Sequence, residues 1–142
     1  MTLFRMFAAV LMALFVGAAG AAGTNAQVKV VYHINHSDNA SAALNNIRNH
    51  LAAAPKAKIV VVTHGPGIDF LIDGAKNATG NPYDVPVQEL ADRGVEFRVC
   101  KNTLDGRKID KSKLLPEARI VPSGVAEIAR LQAEEGYVYL KP

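Results

Sequence analysis

This chain of 142 residues has one cysteine and no tryptophan. A single thiol excludes any disulfide within the chain. The missing tryptophan and an aromatic share of 6% argue against a platform on which nucleic-acid bases would stack. Charge of either sign is also scarce. Sixteen Lys and Arg face 13 Asp and Glu, a net +3 that is too mild to imply nucleic acid or an anionic membrane as partner. No long charge block, low-complexity tract or internal repeat is present. No apolar run reaches the roughly 20 residues that span a bilayer.

The longest apolar run, Met6 to Val16, follows a single positive charge at Arg5 and precedes the small residues Gly17 to Gly23. This is the pattern of a secretory signal peptide. Residues 1–26 are therefore expected to be a leader, cleaved after Ala21 or Ala26, with the mature protein periplasmic or secreted and free of the membrane. Residues 27–142 have the size of one ordinary domain.

In that domain, apolar runs of two kinds alternate. Val28-Lys29-Val30-Val31-Tyr32-His33 predicts a first strand. Ala40, Leu44, Ile47 and Leu51 recur at helical spacing, with Ser37 or Asp38 as candidate caps. Ile59 to Val62 is apolar at every position, as suits a parallel strand covered on both faces. Thr63-His64-Gly65-Pro66-Gly67 then predicts a sharp turn; it matches neither a Walker A nor a dinucleotide fingerprint. A short amphipathic segment carries Phe70, Leu71 and Ala75. The next helix starts near Asp84, holds Pro86 in its first turn and stops at Gly94. Val95 to Cys100 predicts a third strand whose Glu96, Arg98 and Cys100 share a face turned to solvent or to an interface. Ala118 to Val121 is a fourth strand. Ser123 caps a helix with the stripe Val125, Ile128, Ala129 and Leu131, ended by Gly136. Tyr137 to Leu140 is a short last strand, expected at a sheet edge. This alternation indicates a Rossmann-like α/β fold, a three-layer α/β/α sandwich on a mostly parallel five-stranded sheet.

Active sites of open α/β sheets gather outside the carboxyl ends of the strands. Reading off those ends collects His33, His36, His64, Cys100, Asn102, Thr103 and Ser123 on one rim. His50 falls on the polar side of the first helix, as a solvated bystander. Arg93, Arg107 and Lys108 read as surface charge. Lone cysteines in exported proteins are cross-links or reactive thiols. Lys101, Arg107 and Lys108 nearby, with the amides of the following turn, would favour a Cys100 thiolate. The opposing expectation is a small, inert core residue. His33 and His36 are candidate acid–base partners of Cys100. The spacing His33-Ile34-Asn35-His36, joined by His64 and Cys100, also suits a four-ligand metal site if all four converge.

The segments Gly94 to Cys100 with Asn102-Thr103, Ile120 to Glu127, Leu131-Gln132 and Gly136 to Pro142 together resemble the DsrE/DsrF-like family of sulfur-relay proteins. The resemblance runs from about Val28 to Pro142. It implies a compact layered fold that assembles as homo-oligomers, trimers or hexamers. In relay members a cysteine at the corresponding strand end carries a persulfide between a sulfur donor and an acceptor protein, without a cofactor. That catalytic role maps onto Cys100 alone. Lys101-Asn102-Thr103 replaces the small apolar residues that follow the relay cysteine, and relay members are cytoplasmic. Three functions therefore compete: a sulfur carrier, a non-catalytic oligomeric module that binds a ligand or partner, and a His/Cys metal-binding protein.

Overall fold

The computed structural model describes residues 27–142. The predicted leader, residues 1–26, lies outside the described residues. Five parallel strands form one sheet in the order β4-β3-β2-β1-β5. They are β1 (Lys29–Ile34), β2 (Lys58–Thr63), β3 (Glu96–Cys100), β4 (Ala118–Val121) and β5 (Val138–Leu140). The α-helices are α1 (Ala40–Ala53), α2 (Asp84–Asp92), α3 (Lys101–Arg107) and α4 (Gly124–Glu135). The short strand β5 pairs only with β1 and occupies an edge, as expected. No described helix is long and apolar enough to cross a membrane.

Alternation along the strands divides the sheet into two unequal faces. Val30, Tyr32, Ile34, Ile59, Val61, Phe97 and Val99 face the larger core, closed by α1, α2 and Leu104 of α3. Val31, Val60 and Val62 face the smaller one, closed by Ile128 and Leu131 of α4 with Tyr137. Among the described residues α4 is the one helix over that face, whose edges at Arg119 of β4 and Tyr139 of β5 stay exposed. Glu96, Arg98 and Cys100 of β3 lie on it. α4 lies over them and leaves the Arg98 and Glu96 side chains only 14% and 27% exposed: Arg98 donates to Glu127 on α4 and, at 2.7 Å, to Glu96.

Several local expectations are corrected. A 3-10 turn at Ser37–Asn39 precedes α1, and neither Ser37 nor Asp38 caps the helix through its side chain. The Ala40 amide is satisfied by the Ser37 carbonyl, so no side-chain acceptor is needed there. Ser123 does cap α4, its Oγ accepting from the Ala126 amide at 3.4 Å. The buried residues of α4 are Gly124, Ile128 and Leu131. Val125, 61% exposed, and Ala129 fall on a flank that no second helix covers among the described residues. Gly136 ends α4 with φ 71°, a left-handed conformation that suits glycine.

The expected turn after β2 is a 3-10 helix, Gly65–Leu71. Its glycines have a steric reason. A Cβ on Gly67 would lie 2.1 Å from the Ile34 carbonyl oxygen, so only glycine lets this helix sit against the end of β1. His50 is half-buried, and its Nδ1 lies 3.0 Å from the Tyr32 hydroxyl; it is not a solvated bystander.

Candidate functional site

Cys100 closes β3 and is the residue before the first turn of α3. Its side chain points to the α4 face, where Gly124 opens α4. A Cβ on Gly124 would lie 3.2 Å from Cys100 Cβ, from His64 Cβ and from the Thr63 carbonyl oxygen. Glycine there lets the first peptide of α4 reach the sulfur. The first turns of two helices thus meet at one thiol, each with amides that have no intrahelical acceptor.

Cys100 is only 5% exposed. Burial pushes its thiol pKa up. The Gly124 amide, the Thr103 hydroxyl and the amides of Thr103 and Asn102 outweigh that and hold it below the ordinary thiol value. Thr103 is fixed for this role. Its Oγ1 accepts from the Gly65 amide at 2.9 Å, which leaves the hydroxyl hydrogen to be given away. The thiolate is therefore favoured by oriented dipoles.

Two of the three cations near Cys100 in sequence are paired with carboxylates. Lys101 pairs with Asp105 at 2.5 Å and Arg107 with Asp69 at 2.6 Å. Arg107 is no idle surface charge, for it ties α3 to the 3-10 helix after β2. Arg93 approaches Glu89 at 3.9 Å on exposed α2. Asn102 serves Cys100 through its backbone, and Ser123 serves as the α4 cap.

His33 and His64 come together. Their Nε2 atoms are 2.7 Å apart, and His33 Nδ1 lies 2.7 Å from the Tyr139 hydroxyl. The ring centroids are 4.7 Å apart with planes 29° apart, so the rings meet edge to edge through nitrogen. Burial, His64 and Lys141 lower the His33 pKa to about 4; burial and Lys141 lower that of His64. His36 does not join them. It is exposed and turned to Asp38, 3.6 Å away. The chain leaves the sheet after Ile34, so His36 is not carried onto the α4 face. The four-ligand set of His33, His36, His64 and Cys100 therefore does not assemble. No group of three or more potential ligands for a metal ion occurs among the described residues.

Sequence reasoning missed Gly124 and Tyr139. A glycine directly after a helix cap, where no turn requires it, was the available signal for Gly124. Tyr139 becomes relevant only because β5 adds beside β1. A cleft of about 700 Å³ lies apart from Cys100, lined by Ser37, Asp38, Ser41, Asp69, Phe70 and Tyr83 among others. Its walls are more apolar than polar and hold no thiol.

A parallel α/β domain with a dipole-stabilised thiol at a strand end defines the class: a small layered protein built around one cysteine. The chain belongs to the DsrE/DsrF-like family, whose model matches residues 12–142. Among solved structures it is similar to MTH1491, a protein of unknown function from Methanobacterium thermoautotrophicum. That match has 32% identity, a TM-score of 0.73 and covers 82% of this chain and 100% of the other. It also resembles the ychN protein of E. coli at 17% identity and TM-score 0.62, covering 82% of this chain and 99% of the other. The second likeness concerns the fold. No curated protein matches.

Proposed function

We propose that this protein is an exported sulfur carrier that holds sulfane sulfur as a persulfide on Cys100. The observation that carries this reading is the seating of Cys100 between the first turn of α3, which it precedes, and that of α4, whose Gly124 packs against it; donors from both turns, with the Thr103 hydroxyl, lower its thiol pKa. An inert core cysteine has no use for such donors. A nucleophile that must be anionic, and a persulfide that remains so, has use for all of them. Membership in a family with a sulfur-relay-type fold supports the same chemistry.

The exchange needs no cofactor. The Cys100 thiolate attacks the outer sulfur of a persulfide or polysulfide donor. A bond from Cys100 Sγ to that sulfur forms, the donor's own sulfur–sulfur bond breaks, and the donor leaves as a thiolate that takes up a proton. An acceptor thiolate then repeats the step on the loaded Cys100, which leaves as thiolate. Sulfane sulfur moves and no net oxidation occurs. Slight exposure of Cys100 suits a cargo of one atom at the end of a slender donor group.

Intact mass of the protein after exposure to polysulfide tests this. The wild type is expected to gain one sulfur atom, reversibly by thiol, and Cys100→Ser none. Equal gain in both proteins, or none in either, would refute the reading. Self-association belongs to the same proposal. Ile120 on the edge strand β4 is 40% exposed, and Val138 and Leu140 on the opposite edge are 58% and 39% exposed. Apolar side chains on both edges of a sheet suit a contact with further copies. Light scattering is expected to give a trimer or hexamer; a monomer at micromolar concentration would contradict it.

A further inference from the structure

We propose that Tyr139, His33 and His64 form a proton relay that delivers a proton to the sulfur leaving group when Cys100 accepts sulfane sulfur. This rests on the sulfur-carrier reading and adds to it a catalytic acid, His64, with two positioning and relay residues behind it.

The placement follows from the sheet. Tyr139, His33, His64 and Cys100 belong to or directly follow β5, β1, β2 and β3, which are consecutive neighbours in the sheet. The register opposes Thr63 and Val99, so His64 and Cys100 follow side by side on adjoining strands. Both side chains start against the same point, the missing Cβ of Gly124. Val31 opposes Tyr139, so Tyr139 and His33 share that face two residues apart. A row of four side chains therefore crosses four strands, with His64 and Cys100 neighbours at its end.

Both 2.7 Å contacts in the row are hydrogen bonds between groups able to donate or accept. If Tyr139 donates to His33 Nδ1, the neutral His33 ring carries its proton on Nε2 and donates to His64 Nε2. His64 then carries its proton on Nδ1, which has no hydrogen-bond partner among the described residues. The reverse arrangement has His64 donating through Nε2 and His33 donating through Nδ1 to the Tyr139 oxygen. These two tautomeric arrangements are the relay before and after delivery.

The step balances. Cys100 sulfur bonds to the donor's outer sulfur as the donor's sulfur–sulfur bond breaks, and the departing sulfur takes the proton of His64 Nδ1. His64 Nε2 takes the proton of His33 Nε2, and His33 Nδ1 takes that of the Tyr139 hydroxyl. Tyr139, 37% exposed, regains its proton from water. Neither imidazole need carry a net charge, which suits two half-buried rings beside Lys141.

Leaving-group dependence tests the relay. An alkyl thiolate is basic and needs a proton as it leaves; a nitro-substituted aryl thiolate does not. The protein is reacted under single-turnover conditions with an alkyl disulfide, an alkyl persulfide and a nitroaryl disulfide. His64→Gln is expected to slow both alkyl reactions by about 100-fold, within the usual range for general acid catalysis. Its rate with the aryl disulfide is expected to stay within about twofold of wild type, since that leaving group makes no call on an acid. His33→Asn and Tyr139→Phe should show the same selectivity at about tenfold. Tyr139→Phe removes one oxygen from a part-exposed ring and keeps the test available should a histidine variant fail to fold. Equal slowing with both donor classes, or no slowing, overturns the relay. If wild-type Cys100 takes sulfur from the alkyl persulfide but without this selectivity, only the relay falls. If it takes none, the sulfur-carrier reading falls with it.

Discussion

Gly124→Ala adds one methyl group at the point where α4 meets the thiol. The new Cβ would lie 3.2 Å from the Cβ atoms of Cys100 and His64 and from the Thr63 carbonyl oxygen. All three neighbours are anchored on strand backbone or its immediate continuation, so relief must come from α4, displaced by a few tenths of an ångström. Overpacking of this kind costs about 1–3 kcal/mol. For a domain of this size each kcal/mol lowers Tm by about 3–6 °C. The same displacement draws the Gly124 amide from the Cys100 sulfur, so the thiol pKa rises and alkylation at neutral pH slows. Gly106→Ala is the control. It lies within α3 with nothing inside 4 Å of the added Cβ, and is expected to stabilise by about 0.5–1 kcal/mol. Thermal unfolding and the pH dependence of iodoacetamide alkylation, read by intact mass, measure both effects. A Gly124→Ala protein as stable as wild type, with an unchanged alkylation profile, would refute the claim that α4 is seated on the sulfur.

Other substitutions separate the remaining contributions. Thr103→Val removes a donor to the Cys100 sulfur and orphans the Gly65 amide; alkylation should slow and stability fall by about 1–3 kcal/mol. Thr103→Ser keeps the hydroxyl and should restore both, and failure to do so would assign the effect to packing. Glu127→Gln leaves Arg98 with Glu96 alone in a largely buried setting and should cost about 2 kcal/mol by urea denaturation. An unaltered urea midpoint would show that Glu96 alone suffices for Arg98. Acid stability follows from His33. Its folded pKa of about 4 lies below the unfolded value of about 6.5, so the unfolded chain binds more protons between them. Stability therefore has no His33 contribution above about pH 6.5, falls as pH drops to about 4 and levels off below. After discounting for solvent screening the loss is about 1–2 kcal/mol. His33→Asn should shrink the difference in urea midpoint between pH 7.5 and pH 4.5; an undiminished difference would assign it to other groups.

Much of this layered fold is written in local patterns. Ala118 to Val121 has the bounds read from its apolar run, and Gly94 and Gly136 stop the helices they follow. These features depend on backbone propensities that neighbours do not alter. The failures arise where a distant element decides. Val125 and Ala129 fit a buried stripe by spacing, yet among the described residues α4 is the only helix on its face, and that flank is open. The Glu96, Arg98 and Cys100 face seemed polar enough for water, but Glu127, 29 residues after Arg98, neutralises it under α4. Of the rim residues, His33, His64 and Cys100 lie together on the α4 face. The rim also admitted His36, since a list of strand ends does not say which face each side chain takes. The helpers of Cys100 were sought among nearby cations and the amides of the following turn; Lys101 and Arg107 pair with carboxylates instead, and the Gly124 amide comes from a helix that only the sheet brings close. His33 and Tyr139 are 106 positions apart and meet because β5 returns to lie beside β1.

A protein with only one sulfur-bearing nucleophile has no internal means of discharge. Were Cys100 loaded, no second thiol in the same chain could expel the cargo by closing a ring, as a dithiol reductant does. Unloading would wait for a visitor, and the dwell time of the cargo would be set by how often a suitable thiol reaches so narrow an opening. A dilute population of such molecules would then act as a reservoir whose release is second order, tracking the concentration of the recipient and not the redox state of the surroundings.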